Sequence, residues 1–226
     1  PESGTVFSPF LYGADDKKLE RFFLLGPFVA GKHAGIQQQK LDGFLVTIGC
    51  LENKTPFERL RHLWNADQRP KDINGAAIQA LVCDASKTIP WALRHVKTGQ
   101  YVRLTRLLYR IAELTEQHQL DIRTASREQL CCLPGYGMKT ASFFTLYTRP
   151  SERVACLDVH LLRFMEQLRL APRIPSSTPA NPVEYLRLER AFLHYCQDQG
   201  RDPAELDFEI WSDNSKTMTK RPITCL

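Results

Sequence analysis

The sequence has no hydrophobic run long enough to cross a membrane. Its longest apolar stretch lies near residues 44–51, where Thr47 and Gly49 interrupt it, whereas a membrane-spanning helix needs about 20 apolar residues. The first residues, Pro-Glu-Ser-Gly-Thr, lack the basic start and the apolar core of a signal peptide. We therefore expect a protein without a membrane partner, located in the cytoplasm or at the nucleoid, or in the nucleus if the source is eukaryotic.

Closely spaced cysteine pairs are also missing. The chain contains seven cysteines, an odd number, and no two of them form a C-x-x-C motif, which argues against a zinc ribbon or a redox disulfide. A chain of 226 residues can build a core without disulfides. We interpret the cysteines as reduced and mostly buried thiols of a reducing compartment.

Neither sign of charge dominates the chain strongly. There are 30 Lys and Arg residues against 25 Asp and Glu residues, which gives a net charge of +5. This small excess weakly favours a polyanionic partner such as nucleic acid. Because the sequence has no low-complexity stretch, we expect an ordered globular protein.

Apolar residues recur at helical spacing along most of the chain. The clearest example begins at Tyr101, where Leu104, Leu108 and Ile111 predict an amphipathic helix that runs to about Leu120. Long alternating stretches, which would indicate strands, are absent, so we predict an all-α fold. The four prolines of residues 171–182 predict a loop. The other helices are predicted over residues 17–25, 41–51, 56–65, 76–83, 159–168, 186–195 and 203–211.

The most informative segment covers residues 126–144. Ser126 and Gln129 predict a capping box at the start of a short helix. The turn Leu-Pro-Gly-Tyr-Gly follows, in which Gly135 and Gly137 permit positive φ and close approach to another molecule. A second helix is predicted from Met138, and its free N–H groups suit a phosphate. Such a helix, glycine turn and helix can bind a DNA backbone without regard to sequence, although a plain helix–helix turn has the same local pattern.

The segments 133–144 and 154–160 together resemble the helix-hairpin-helix DNA glycosylase superfamily. The pattern of that superfamily is L-P-G-x-G-x-K-x-A, followed by an aspartate in a V-D-x-H-like setting. Lys139 and Asp158 occupy the two key positions, 158 − 139 = 19 residues apart, as in its 8-oxoguanine glycosylase branch. The close match covers roughly residues 130–165, and the remaining helices agree only in kind.

The resemblance implies two catalytic residues. Lys139 matches the lysine of bifunctional glycosylase/lyases, whose amine attacks C1′ of the sugar and forms a Schiff base. Asp158 matches the essential aspartate, which activates the amine or stabilises positive charge on the sugar. Taken alone, Lys139 would equally suit a solvated lysine, and Asp158 would suit a helix N-cap; we predict that Asp158 also caps the helix that follows.

The branch of the superfamily follows from what the chain lacks. Only Cys196 and Cys225 follow Asp158, whereas the endonuclease III and adenine glycosylase branches carry four cysteines there for an iron–sulfur cluster. The roughly 130 residues before the hairpin also leave little room for the extra β-domain of eukaryotic-type 8-oxoguanine glycosylases. The resemblance therefore implies a compact 8-oxoguanine glycosylase of archaeal or short prokaryotic type, with no organic cofactor, no iron–sulfur cluster and no catalytic metal, although a monovalent cation can bind the hairpin carbonyls.

Residues of the base pocket are predicted mainly from a D-x-x-x-W pair that archaeal 8-oxoguanine glycosylases also carry near the C-terminus. Here Asp207 would accept a hydrogen bond from the flipped purine and Trp211 would stack on it, although a core tryptophan with a solvated aspartate would fit the same pattern. The archaeal enzymes have a longer hairpin without L-P-G-x-G, so the transfer of these two roles is indirect. Further candidates are Trp64 for stacking, one of Gln37, Gln38 and Gln39 for reading the purine edge, Asn53 for filling the gap in the duplex, and His160 for contacting a phosphate beside Gly135, Gly137 and Lys139.

The predicted architecture is two helical subdomains that flank a DNA-binding cleft. One subdomain would combine residues 1–40 with 150–226, and the other would span 41–149 and end in the helix-hairpin-helix of about 126–148. The expected partner is double-stranded DNA with a damaged base, bound by a monomer. Removal of another oxidised or modified base, and a non-catalytic helix-hairpin-helix DNA-binding module, are the two alternatives.

Overall fold

A computed structural model describes residues 10–29, 32–50, 54–68 and 88–218 of the chain. Within these ranges the secondary structure is entirely helical, which confirms the predicted all-α fold. No helix in the described part is long and apolar enough to cross a membrane. The helices are α1 (Asp16–Val29), α2 (Ala34–Thr47), α3 (Pro56–Gln68), α4 (Ile89–His95), α5 (Tyr101–Glu116), α6 (Arg127–Cys131), α7 (Met138–Thr148), α8 (Val159–Gln167), α9 (Pro182–Asp198) and α10 (Pro203–Met218).

Most predicted helices are present, with different ends. Helix α2 begins seven residues before the start of the predicted 41–51, and it ends at Thr47, before residue 51. Its first turns consist of the mostly polar residues that precede Leu41. Helix α4 was not predicted; Thr88 caps it by accepting a hydrogen bond from the Trp91 N–H, and Pro90 sits in its first turn, where a missing N–H costs little. The helix predicted at 76–83 lies outside the described residues.

The described chain divides into two compact units, of which Ala14–Gly137 is one. In this unit α1 packs on α2 and α3, and α5 packs on α3 and α4. The predicted apolar stripe of α5 forms part of the core, since Leu104, Leu108 and Ile111 are buried. Helix α1 was predicted to join the C-terminal third, but its Phe23 ring stacks on Tyr136 at 4.8 Å, which places α1 with the central helices.

The second unit combines residues 10–13 with 138–218. Its core lies among α8, α9 and α10, around buried side chains such as Leu162, Tyr185 and Phe192. Helix α7 packs on α10 and therefore belongs to this unit. The division falls between residues 137 and 138 rather than at the predicted 149 and 150, so Lys139 and Asp158 lie in the same unit.

A buried segment without regular secondary structure, residues 154–157, leads into α8 in the second unit. Because it pairs with no strand in the described part of the chain, its backbone must find other hydrogen-bond partners. The Tyr185 hydroxyl accepts a hydrogen bond from the Leu157 N–H at 3.2 Å and donates one to the Ala155 carbonyl at 2.7 Å. The Glu189 carboxylate accepts the Ala155 N–H at 2.8 Å. Two side chains of α9 therefore set the path of the chain that ends at Asp158.

Replacement of Tyr185 by Phe should destabilise the second unit. The change leaves the buried Leu157 N–H and Ala155 carbonyl without the hydroxyl, which costs roughly 1 to 3 kcal/mol of unfolding free energy. Chemical denaturation measures this loss. Tyr195→Phe removes a hydroxyl from a half-buried ring of the same helix and should change stability by less than about 0.5 kcal/mol. Equal effects of the two substitutions would contradict the anchoring role of Tyr185.

Candidate active site

The first arm of the predicted hairpin begins with a capping box. The Ser126 hydroxyl accepts a hydrogen bond from the Gln129 N–H at 3.2 Å, and the Gln129 side-chain oxygen accepts one from the Ser126 N–H at 2.7 Å. Both bonds satisfy N–H groups that the start of α6 would otherwise leave unpaired. The structure confirms the predicted cap, and α6 is a short helix of one to two turns.

In the glycine turn that follows α6, the backbone conformation requires glycine at position 135 but not at position 137. Gly135 has φ +73°, and a Cβ atom there would lie 2.9 Å from Cγ of Arg103. The Arg103 guanidinium donates to the Gly135 carbonyl at 3.3 Å and to the Pro27 carbonyl at the end of α1. Gly137 lacks positive φ, and a Cβ atom would meet no neighbour within 4 Å. The open space at Gly137 leaves this backbone accessible to a ligand.

Substitution of Gly135 by Ala should lower the stability of the unit that contains it. A positive φ and the contact with Arg103 together cost roughly 1 to 3 kcal/mol for a residue with a Cβ atom. Gly137→Ala is the matched control, because the space there is open, and its free energy of unfolding should stay close to that of the unmodified protein. Denaturant titration of both variants checks this, and equal destabilisation would argue against the strain at residue 135.

Lys139 lies in the first turn of α7, in the second unit. Its side chain is half-buried. The Cys156 thiol contacts the Lys139 carbonyl at 3.8 Å, so the start of α7 touches the buried segment that precedes Asp158. This contact brings the two parts of the glycosylase-like motif together, although 17 residues separate them in sequence.

Asp158 caps α8, as the sequence predicts. Its Oδ1 atom accepts hydrogen bonds from the His160 N–H at 2.8 Å and the Leu161 N–H at 2.9 Å. The cap holds the carboxylate at the N-terminal end of the helix, where a negative charge is favoured. Both of these hydrogen bonds go to the Oδ1 atom of Asp158.

Asp207 is a buried carboxyl on α10. It is 8% exposed, and its Oδ2 atom accepts a hydrogen bond of 2.5 Å from the Tyr147 hydroxyl. Burial is the main cause that raises the pKa of Asp207 to about 7, and the charge of Asp158 contributes to the rise. The hydrogen bond from Tyr147 and the charge of Lys139 act in the opposite direction.

The same charges act on the thiol of Cys156. Burial raises the pKa of Cys156 well above its usual value, Asp207 and Asp158 raise the pKa as well, and Lys139 lowers it. The charges of Lys139, Asp158 and Asp207 therefore all act on this thiol, and the Cys156 thiol stays protonated near neutral pH.

The other predicted pocket residues occupy different places. Trp211 lies one turn after Asp207, is 40% exposed, and stacks on Phe208 with ring centroids 6.4 Å apart. His160 is half-buried in the first turn of α8, and its Nδ1 atom is buried without a hydrogen-bond partner among the described residues. Trp64 is half-buried on α3, in the unit of residues 14–137. Asn53 lies outside the described residues.

The three glutamines of α2 differ in burial. Gln37 is 3% exposed, and its Oε1 atom is buried with no hydrogen-bond partner in the described part of the chain. Gln38 is half-buried and Gln39 is exposed. An unsatisfied buried acceptor is uncommon in native proteins. Gln37 is therefore the strongest of the three candidates for contacting a ligand.

Sequence reasoning missed three residues that shape this region. Tyr147 lies about two turns after Lys139 on α7, and its hydrogen bond to Asp207 joins residues 60 positions apart, so no local pattern indicated it. Tyr185 and Glu189 form hydrogen bonds with residues that are 28 to 34 positions away in the sequence. No local sequence pattern predicts bonds of this kind.

Two known structures share the fold of this chain. The chain resembles the 8-oxoguanine DNA glycosylase of Thermotoga maritima with a TM-score of 0.55 and 20% identity, over 88% of this chain and 80% of that one. It resembles the 8-oxoguanine DNA glycosylase of Methanocaldococcus jannaschii with a TM-score of 0.55 and 16% identity, over 90% and 81% of the two chains. No protein-family model matches the chain. At these identities the comparison shows a shared fold, and it confirms at that level the resemblance to helix-hairpin-helix glycosylases.

Proposed function

We propose that the protein is a bifunctional DNA glycosylase and AP lyase that removes 8-oxoguanine from DNA. The observation that carries the proposal is the contact of the Cys156 thiol with the Lys139 carbonyl at 3.8 Å, which brings the start of α7 to the segment that ends at Asp158, the N-cap of α8. The shared fold with two 8-oxoguanine DNA glycosylases supports it.

The proposed chemistry begins at the amine of Lys139. Its lone pair attacks C1′ of the deoxyribose, and the electron pair of the bond between C1′ and the base leaves with the base. Asp158 takes the proton that the nitrogen loses, or stabilises the positive charge that develops on the sugar. Opening of the sugar ring then gives a Schiff base between C1′ and Nζ. Loss of a C2′ proton and of the 3′ phosphate by β-elimination nicks the strand.

Recognition of the base is proposed for α10. Asp207 would accept a hydrogen bond from the extruded purine, and Trp211 would stack on it, which contributes on the order of 1 to 3 kcal/mol per base. The exposed face of Trp211 supports this role. Gln37, with its unsatisfied acceptor, is proposed to read a purine edge, while Trp64 stays a prediction. Extrusion of the base costs a few kcal/mol, least for a damaged or mispaired base.

The proposed partner is double-stranded DNA, bound by a monomer in the compartment that holds the DNA. Gly135, Gly137 and His160 would contact the phosphates, so binding should weaken as salt rises. The chemistry uses the side chains of the protein and no organic cofactor. For a monovalent cation at the hairpin, the Gly135 carbonyl is a poor ligand because it already accepts a hydrogen bond from the positively charged Arg103.

Lys139→Gln should abolish borohydride trapping on duplexes that contain 8-oxoguanine opposite cytosine. The neutral amide cannot form the Schiff base that borohydride reduces, whereas binding of the duplex should persist. Lys18→Gln is the matched control, since Lys18 is exposed on α1 and pairs with Asp15 at 3.5 Å; it should trap like the unmodified protein. Covalent adducts on denaturing gels measure the outcome.

A panel of lesions in the same assay separates the alternatives. Efficient excision of 8-oxoguanine supports the proposed substrate, whereas a stronger preference for thymine glycol would reject it and favour another oxidised base. Absence of an adduct on every lesion, with binding retained, would favour a non-catalytic DNA-binding module.

Asp158→Asn should reduce the single-turnover rate of excision by roughly 100-fold or more, the scale of a lost general base. Asparagine caps helices nearly as well as aspartate, so stability and DNA binding should change little. Asp202→Asn provides the matched control, because Asp202 caps α10 through the Ala204 N–H at 2.8 Å without belonging to the proposed site. Equal rates for the two variants would remove Asp158 from the mechanism.

A further inference from the structure

Tyr147 and Asp207 form a buried pair joined by a hydrogen bond, and the proposed mechanism assigns no role to Tyr147. The Tyr147 ring packs against Phe143 and Phe10, with ring centroids 5.3 and 5.7 Å away, so its position does not depend on the hydroxyl alone. That hydroxyl donates to Oδ2 of Asp207. Tyr147 therefore occupies Oδ2 of Asp207, which leaves Oδ1 as the oxygen that we assign to the base.

Several charged or titratable groups face Asp207 from the elements packed around it. Helix α7 contributes Lys139 as well as Tyr147, the segment before α8 contributes Cys156 and Asp158, and α9 contributes Cys196. Burial raises the pKa of Cys156 well above its usual value and that of Cys196 to about 11. The pKa of Tyr147 is also raised, first by burial and then by the charge of Asp207.

Around neutral pH, therefore, the two thiols and the phenol stay protonated, while Asp207 has a pKa of about 7. The hydrogen bond from Tyr147 favours the ionised form of Asp207, because a carboxylate accepts a phenol O–H more strongly than a neutral carboxyl does. Without the hydroxyl, burial and the charge of Asp158 would hold Asp207 neutral to a higher pH.

The ionisation state of Asp207 matters for recognition of a purine. 8-Oxoguanine carries a hydrogen on N7 and donates there, whereas guanine presents a lone pair at N7. An ionised carboxylate can only accept hydrogen bonds, so it pairs with the N7–H of 8-oxoguanine and repels the lone pair of guanine. A neutral carboxyl can donate its proton to guanine, and the distinction between the two bases is reduced.

Resting on the proposed glycosylase function, we propose that Tyr147 is a positioning residue that keeps Asp207 ionised, and that the ionised carboxylate accepts the N7–H of 8-oxoguanine and rejects guanine. Tyr147 does not touch the base in this proposal. It acts through Asp207, and the quantity it controls is the pH range in which the protein selects the damaged base.

Tyr147→Phe tests the proposal because it removes the hydroxyl and keeps the ring. Excision of 8-oxoguanine should rise with pH as Asp207 ionises, and this rise should move upward by about one to two pH units in the variant, the size expected for a lost hydrogen bond to a charged group. At pH 6.5 the single-turnover rate should fall roughly tenfold or more, and excision of 8-oxoguanine relative to guanine should decrease. Both should recover at pH 9.

Two variants separate this effect from a general structural one. Tyr12→Phe removes a hydroxyl that donates to the Leu146 carbonyl of α7 and should leave the pH profile unchanged. In Asp207→Asn the rise of the rate near pH 7 should disappear, and adding Tyr147→Phe should have no further effect on the profile. Thermal melts of every variant identify any loss of folding.

Carbon-13 NMR titration of the aspartate carboxyls in the free protein, with Asp207 assigned from Asp207→Asn, gives a readout that needs no activity. The Asp207 midpoint should move upward in Tyr147→Phe. An unchanged midpoint, or an unchanged pH profile and selectivity, would overturn the role of Tyr147. A different outcome is that the Asp207 midpoint shifts in Tyr147→Phe but the unmodified protein does not excise 8-oxoguanine. That outcome would reject the proposed function and the base contact, and it would still establish the effect of Tyr147 on Asp207.

Discussion

The site depends on how the buried backbone of residues 154–157 satisfies its hydrogen bonds. A buried backbone segment that has no regular secondary structure would be unstable in a protein interior if its polar groups stayed unpaired. Tyr185 and Glu189 of α9 supply the missing partners, and the Thr178 hydroxyl donates to the Leu157 carbonyl at 2.7 Å. This arrangement brings Asp158 to the start of α8 at a defined place, and the Cys156 thiol meets the first turn of α7 there.

A second constraint is the burial of charge beside that segment. Asp207 would be unfavourable as an isolated carboxylate in the interior, and its raised pKa reflects this cost. The Tyr147 hydroxyl and the Lys139 charge compensate in part, so the ionised and neutral forms have similar free energies near neutral pH. Polar groups arranged in this way are typical of sites that move protons or read the protonation of a ligand.

Local features of the fold could be read from the sequence because they depend on neighbouring residues. The capping box of Ser126 and Gln129, the turn at Gly135 and the cap provided by Asp158 each involve groups within about four positions of one another. The amphipathic stripe of α5 was equally readable. The ends of α2 and the existence of α4 were not, since a polar first turn and a helix of seven residues leave little periodic signal.

The sequence by itself determined the all-α class, the hairpin, and the pair of residues with the spacing of a glycosylase. Only the tertiary structure decided which helices share a unit, because packing of α1 on α2 and α3 depends on side-chain contacts such as that of Phe23 with Tyr136 across 113 residues. It also decided the surroundings of the candidate site. The hydrogen bonds from α9 and the bond between Tyr147 and Asp207 join residues that are 28 to 60 positions apart. These hydrogen bonds become strong only when the folded chain excludes water around them.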